Sequence, residues 1–211
     1  MKSGFIGVIG KANAGKSTLV NVLVGEKVSI VSPKPQTTRD AVMGVLTKPE
    51  YQLVFMDTPG IYKAQNRLSD MMQKTAQTAA KDVDFLLFVH DGHGGISADD
   101  IQLMQKYLSG KIPMAIAYTK IDIMPKERIL DDVKTLYENG ITCDVLPVSA
   151  RKFTNVSKLE AYLADKMPEG EKVISDDIVT DRSDRFMVSE VMREKILLKF
   201  GQEVPHGIAI C

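Results

Sequence analysis

At 211 residues, with 44% hydrophobic and 26% charged side chains, the chain has the balance of a folded globular protein rather than a disordered one. Its 27 basic and 27 acidic side chains cancel to zero net charge, which excludes a global basic field for nucleic acid but leaves room for a local patch. Two cysteines, Cys143 and Cys211, exclude a disulfide framework, and no apolar run approaches the roughly 20 residues of a membrane span. The start runs directly into "GFIGVIG" without the basic stretch and cleavage site of a signal peptide, which reads as a cytoplasmic protein.

The first predicted strand, residues 4–10, leads through "GKANAGKS" (Gly10 to Ser17) into a predicted helix over 16–25. The pattern is G-x-x-x-x-G-K-[ST], in the strand–loop–helix setting that gives it meaning. Its glycines let the backbone curl so that successive N–H groups face phosphate, and the helix start adds a positive dipole end. The expected nucleotide contacts here are Asn13, Ala14, Gly15, Lys16, Ser17 and Thr18. Lys16 would meet the terminal phosphates, and the Ser17 hydroxyl would ligate Mg²⁺.

"TTRD" (Thr37 to Asp40) precedes an edge strand at 41–48 and offers two hydroxyls, Thr37 and Thr38, to complete the Mg²⁺ shell; Thr38 is the candidate, and the sequence does not decide between the two. "KPEY" is too short for a crossover, so 41–48 and the next strand, 51–57, form an antiparallel hairpin. "DTPG" then puts Asp57 at a strand end, where it holds Mg²⁺, and Gly60 where its N–H senses a γ-phosphate. Two loops that contact the γ-phosphate make a switch, because hydrolysis removes the contacts that order them.

Downstream, strands are predicted at 84–91, 112–119 and 141–148, and helices at about 66–82, 97–109, 126–138 and 155–166. Runs such as "DFLLFV" suit strands covered on both faces, so the fold is α/β, a six-stranded mostly parallel sheet with helices on both sides. "TKID" (Thr119 to Asp122) follows a strand, and the Asp122 carboxylate can accept two hydrogen bonds from guanine, while Lys120 lays its stem against the base. "SAR" (Ser149, Ala150, Arg151) would aim a backbone N–H at the guanine oxygen. GTPases mostly carry Asn at Thr119 and Lys at Arg151; the lost amide contact costs about 1 kcal/mol, one hydrogen bond. "HDGHGG" (His90 to Gly95) has too few ligands for a metal site, and the Met71-Met72 pair reads as core.

After residue 167 the composition turns polar, and 168–183 reads as a linker. An apolar stripe at helical spacing predicts a helix over 184–200, capped by Ser183 or Asp184 and stopped by Gly201, with a strand to follow in "EVPHGIAIC".

"VSIVSPKPQTTRD" (28–40), with "DTPGI", "DVDFLLFV", "DIVTDRSDRF", "REKILL" and "EVPH", resembles the Era family of GTPases over essentially the whole chain. Der and the tRNA-modifying MnmE share "TTRD" but not "SPKPQ"; an MnmE- or Der-like GTPase is one alternative, and a nucleotide-dependent binding module with negligible hydrolysis is another. The resemblance implies a Ras-like P-loop GTPase domain at 1–167, a linker, and a partial KH-type RNA-binding domain at 184–211 whose G-x-x-G clamp is not present. It implies GTP and GDP as ligands, 16S ribosomal RNA and the 30S subunit as partners in assembly, and peripheral membrane association without a transmembrane segment. Single-stranded RNA binding by these residues alone is expected to be weak.

Ras-like enzymes orient the attacking water with Gln after the switch glycine; here Ile61 stands in that place. Arg39 reads as a structural residue rather than an arginine finger. In related GTPases with a hydrophobic residue here, a monovalent cation takes over charge stabilisation, held by a phosphate-loop Asn. The resemblance therefore implies K⁺ near Asn13, with Asn13, Lys16, Thr38 and Gly60 as the catalytic set.

Overall fold

The computed structural model describes residues 1–34, 37–61, 75, 78 and 82–199. In chain order the elements are β1 (Lys2–Ile9), α1 (Lys16–Val24), β2 (Val42–Thr47), β3 (Tyr51–Asp57), β4 (Phe85–Asp91), α2 (Ala98–Leu108), β5 (Met114–Thr119), α3 (Lys126–Glu138), β6 (Val145–Pro147), α4 (Val156–Lys166) and α5 (Asp184–Lys199). The strands form one sheet in the order β2-β3-β1-β4-β5-β6, parallel throughout except for the antiparallel β2–β3 hairpin at one edge. The expected Ras-like α/β architecture is therefore present.

Alternation along the strands sorts side chains between two cores. Phe85, Leu87 and Val89 of β4 join Ile6 and Val8 beneath α1 and α4, while Leu86 and Phe88 face the other way, toward Met104 of α2 and Leu136 of α3. Both faces of the central strands are covered, as apolar runs without polar alternation require. All the parallel strands point their C-terminal ends to one rim, which gathers the loops after β1, β3, β4 and β5.

The last strand departs from expectation. It covers only 145–147 rather than 141–148, because the first part of that run closes α3 instead. Gly140 takes φ 76° and the Ile141 N–H returns to the Leu136 carbonyl at 3.0 Å, an end motif that satisfies a terminal helix carbonyl. Ile141 is nevertheless buried in the α2–α3 core, which is why its apolar character mimics a strand.

The segment 168–183, polar and without period, follows a defined path along the sheet. Gln52 on β3 binds the Val173 and Ile174 N–H groups at 2.9 and 3.0 Å, the Val45 N–H donates to the Val179 carbonyl at 2.8 Å, and Arg182 donates to the Ala41 carbonyl. The Val45 bond and the Gly44–Thr180 bridge occupy part of the open edge of β2. The Ser183 hydroxyl then accepts from the Phe186 N–H at 3.3 Å, so Ser183 is the cap of α5. Of the helix expected over 66–82, only Thr75, Thr78 and Asp82 are described; Met71, Met72 and the expected strand from Glu203 to Cys211 lie outside the described residues. Among the described residues no helix is long and apolar enough to cross a membrane.

Candidate nucleotide site

The phosphate loop leaves β1 at Gly10, whose φ of +144° and closeness to β4 demand glycine: a Cβ there would stand 2.2 Å from the Val89 carbonyl oxygen. Asn13 (φ 61°) and Gly15 (φ 96°) complete the curl. Gly15 precedes α1 without a capping side chain, so the first-turn N–H groups are presented to whatever lies before them. Lys16 is buried, and its Nζ donates to the Gly10 and Lys11 carbonyls at 3.2 and 2.9 Å. Burial lowers its pKa to about 8, against the pull of Asp57.

That value makes a pH prediction. A phosphate in the loop favours the ammonium form and raises the Lys16 pKa, so binding takes up a proton once pH exceeds about 8. Nucleotide affinity should hold between about pH 7 and 8 and then weaken, by at most about tenfold per unit. Calorimetry in buffers of different ionisation enthalpy would read the uptake directly. Zero proton uptake at about pH 8.5 would contradict it.

Opposite Lys16, the Ser17 and Thr38 hydroxyls lie 3.0 Å apart. Thr37 turns its own hydroxyl to Ser32 and to the Lys34 carbonyl, at 3.0 and 2.6 Å, so Thr38 is the one that stands beside Ser17. Asp57, at the end of β3, is fully buried near the Ser17 and Ser29 hydroxyls, and among the described residues neither carboxylate oxygen has a hydrogen-bond partner of good geometry. Burial pushes its carboxyl above the usual range while the Lys16 charge opposes the shift. A buried carboxylate near the Ser17 hydroxyl, which itself meets that of Thr38, is a donor set that fits a hard divalent cation such as Mg²⁺.

Gly60 rests on the phosphate loop so closely that a Cβ would meet the Ala12 Cα at 2.6 Å and its N at 2.8 Å. The Ile61 N–H donates to the Gly10 carbonyl at 3.0 Å, and its side chain packs on the α2–α3 core. Ile61 is thus tied down by backbone and packing.

At the far end, Thr119 is buried, with its hydroxyl 2.7 Å from the Ala14 carbonyl and 2.9 Å from that of His90. A hydroxyl has one proton, and both neighbours are carbonyls, so it braces the phosphate loop and has no donor left for a base. The Thr119→Asn variant, with two amide protons, should strengthen guanine nucleotide binding by up to about tenfold, roughly 1 kcal/mol. An affinity unchanged or weakened in a fluorescent-nucleotide titration would count against this reading.

Lys120 (φ 61°) donates to the Asn13 carbonyl at 2.9 Å and pairs with Asp91 at 2.6 Å. Asp122 accepts the Ser149 hydroxyl at 2.6 Å, which holds its carboxyl below the usual range. Ser149 also pairs with Thr154 through the backbone, fixing the turn that carries Ala150 and Arg151. A cavity of about 670 Å³ is lined by Asn13, Lys16, Ser17, Thr38, Gly60 and Lys120 among others, with Thr18 and Arg151 on its wall; Ala14, Asp57, Thr119, Asp122, Ser149 and Ala150 stand outside that lining.

Some contributors have no motif. Asp91, from the "HDGHGG" stretch, pairs with Lys120, and among the described residues no group of three or more His, Cys, Asp or Glu side chains is placed to hold a metal. Lys11 of the phosphate loop pairs at 2.8 Å with Asp100, which also closes the Ser97 capping box of α2. Arg39 is half-buried in the electrostatic company of Arg193 and Glu190 on α5.

The sequence and the fold are similar to those of several known proteins. The family described as "50S ribosome-binding GTPase" matches residues 5–120. The GTPase Era of Clostridium novyi is 44% identical over 209 residues, 99% of this chain and 71% of that protein. The GTPase Era of Clostridium kluyveri is 42% identical over 210 residues, 100% of this chain and 72% of its own. Among solved structures, Era in complex with MgGDPNP and nucleotides 1506–1542 of 16S ribosomal RNA aligns with a TM-score of 0.92 at 35% identity, covering 97% of this chain and 70% of that one. An Aquifex aeolicus Era variant bound to GDP and AlF4⁻ aligns equally well, at 34% identity over the same shares.

Proposed function

The chain belongs to the Era family of GTPases, which hydrolyse GTP, and from that premise we propose that it is a Mg²⁺-dependent GTP switch that gates binding to 16S ribosomal RNA during assembly of the small subunit. The observation that carries the switch is the Ser17–Thr38 hydroxyl pair, 3.0 Å apart, with the buried Asp57 carboxylate near Ser17. When bound, Mg²⁺ would neutralise charge on the β- and γ-phosphates. Ser17, Thr38 and Asp57 would hold it. Lys16 would trade its two loop carbonyls for phosphate oxygens, and the Gly60 N–H would meet the γ-phosphate. At the other end, Asp122 reads guanine, Lys120 covers it, and the Ser149–Arg151 turn closes the base pocket.

The RNA half of the proposal is carried by relatives matched along nearly all of this chain, one of them held with a 16S fragment. The family description that names the large subunit rests on residues 5–120 alone. A labelled oligonucleotide with the 3′-end sequence of 16S ribosomal RNA, titrated with the native protein in GDPNP and in GDP, tests the gate. Binding that is equal in the two states would remove it.

With Ile61 bound into the core, hydrolysis needs another source of charge stabilisation. K⁺ suits Asn13: its Nδ2 donates to the Pro33 carbonyl at 2.8 Å, which leaves Oδ1 as the oxygen to meet an alkali cation. Turnover in KCl should exceed turnover in NaCl by tenfold or more, about one oxyanion-type contact. Equal rates in the two salts would discard K⁺.

A further inference from the structure

Helix α5 buries two charged residues alongside the apolar Leu197. It buries Arg193 and Glu194, at 4% and 6% exposure, while Val188, Met192 and Leu198 are more than half exposed. Buried charges are costly unless paired and hydrogen-bonded, so their partners matter. Those partners lie on the segment that carries Thr38. Arg193 donates through Nη2 to the Thr37 carbonyl at 2.7 Å, the peptide that joins Thr37 to Thr38, while Glu190 steadies the guanidinium at 2.7 and 2.5 Å. The next residue, Glu194, accepts the Val31 N–H at 3.2 Å and pairs with Lys27. Val31 and Thr37 both line the nucleotide cavity, and so does Leu198 one turn further along the helix. Two adjacent residues of α5 therefore hold two points of the segment that faces the nucleotide.

We propose that Arg193 is a positioning residue for the GTP site: by fixing the Thr37 carbonyl it sets the Thr38 hydroxyl beside Ser17, and Glu194 fixes the segment at Val31. The proposal rests on the reading of Thr38 as a Mg²⁺ ligand. Its consequence is selective, since a γ-phosphate and its metal use Thr38 whereas GDP depends mainly on the phosphate loop and the base contacts. A bidentate, carboxylate-braced guanidinium suits the task, because its planar fork loses little freedom on binding.

The test is Arg193→Met, which keeps much of the buried stem and removes the donors, compared with Arg193→Lys, which keeps the charge and a single donor nitrogen. The readouts are affinities for GDPNP and GDP and the Mg²⁺ concentration needed for half-maximal GDPNP binding. For Arg193→Met the expected result is about a tenfold loss for GDPNP, less than about threefold for GDP, and a raised Mg²⁺ requirement. Arg193→Lys should recover part of the loss, since an ammonium can reach one partner but not reproduce the fork. Equal losses for both nucleotides, or none, would overturn the proposal, as would a Mg²⁺ requirement that does not move. If Arg193→Met does not fold, Arg193→Leu, which likewise carries no donor, takes its place with the same outcomes. The wild-type titration separates the two levels: GDPNP binding that ignores Mg²⁺ would defeat the Thr38 reading itself, whereas normal wild-type behaviour with unaltered variants would defeat only the role of Arg193.

Discussion

Asp122→Asn should exchange guanine for xanthine preference, lowering GTP affinity by about 10²–10⁴ and raising XTP affinity by a comparable factor. The carboxylate accepts from the guanine N1–H and 2-amino groups, and charge-assisted hydrogen bonds contribute about 1.5–3 kcal/mol each. An amide offers one acceptor and one donor. Ser149 donates to Oδ1 at 2.6 Å, so in the variant the amide oxygen stays with Ser149 and the NH₂ turns toward the 2-position of the base. Guanine presents a donor there, and the two donors collide; xanthine presents a carbonyl and is accepted. The side chain is exposed enough that the exchange does not threaten the fold. Competition between GTP and XTP for a fluorescent nucleotide reads both halves. Unchanged GTP affinity would place the base elsewhere.

Gly60→Ala should lower GTP hydrolysis by about 10²–10³, the scale of one lost donor to developing charge, and leave GDP affinity within about threefold. The added methyl would stand 2.6 Å from the Ala12 Cα, and backbone on both sides cannot swing away as a side-chain tip can. Gly60 must then lift off the phosphate loop and take its N–H with it, while the loop itself, shaped by Gly10 and Gly15, stays as it was. Single-turnover hydrolysis with a parallel GDP titration distinguishes this from general damage, which would weaken both. A wild-type hydrolysis rate would mean that the close contact at Gly60 is not needed for chemistry.

Thr119 illustrates how far residue type can be read. Its hydroxyl was legible as a poorer base ligand than an amide, yet its use as a brace between Ala14 and His90 depends on three chain segments meeting at the end of the sheet. Asp91 was legible only as a carboxylate near two histidines; the αL turn at Lys120 is what brings the ammonium to it. The strand expected over 141–148 failed for a related reason, since apolar character records that Ile141 is buried but not that it closes a helix.

By itself the sequence determined the order of the sheet's strands along the chain and the chemistry of its rim. "GKANAGKS", "DTPG" and "TKID" are short, and each carries the residue types its own task requires, so local spacing suffices to find them. Tertiary structure alone decided which of Thr37 and Thr38 stands beside Ser17, what the Thr119 hydroxyl is spent on, and why α5 buries Arg193 and Glu194. These are polar contacts across 156 and 163 residues of chain in the last case, and such contacts leave no period in a sequence. A buried apolar face repeats every second or fourth residue because one surface must cover it, whereas a single donor aimed at one distant carbonyl repeats nothing.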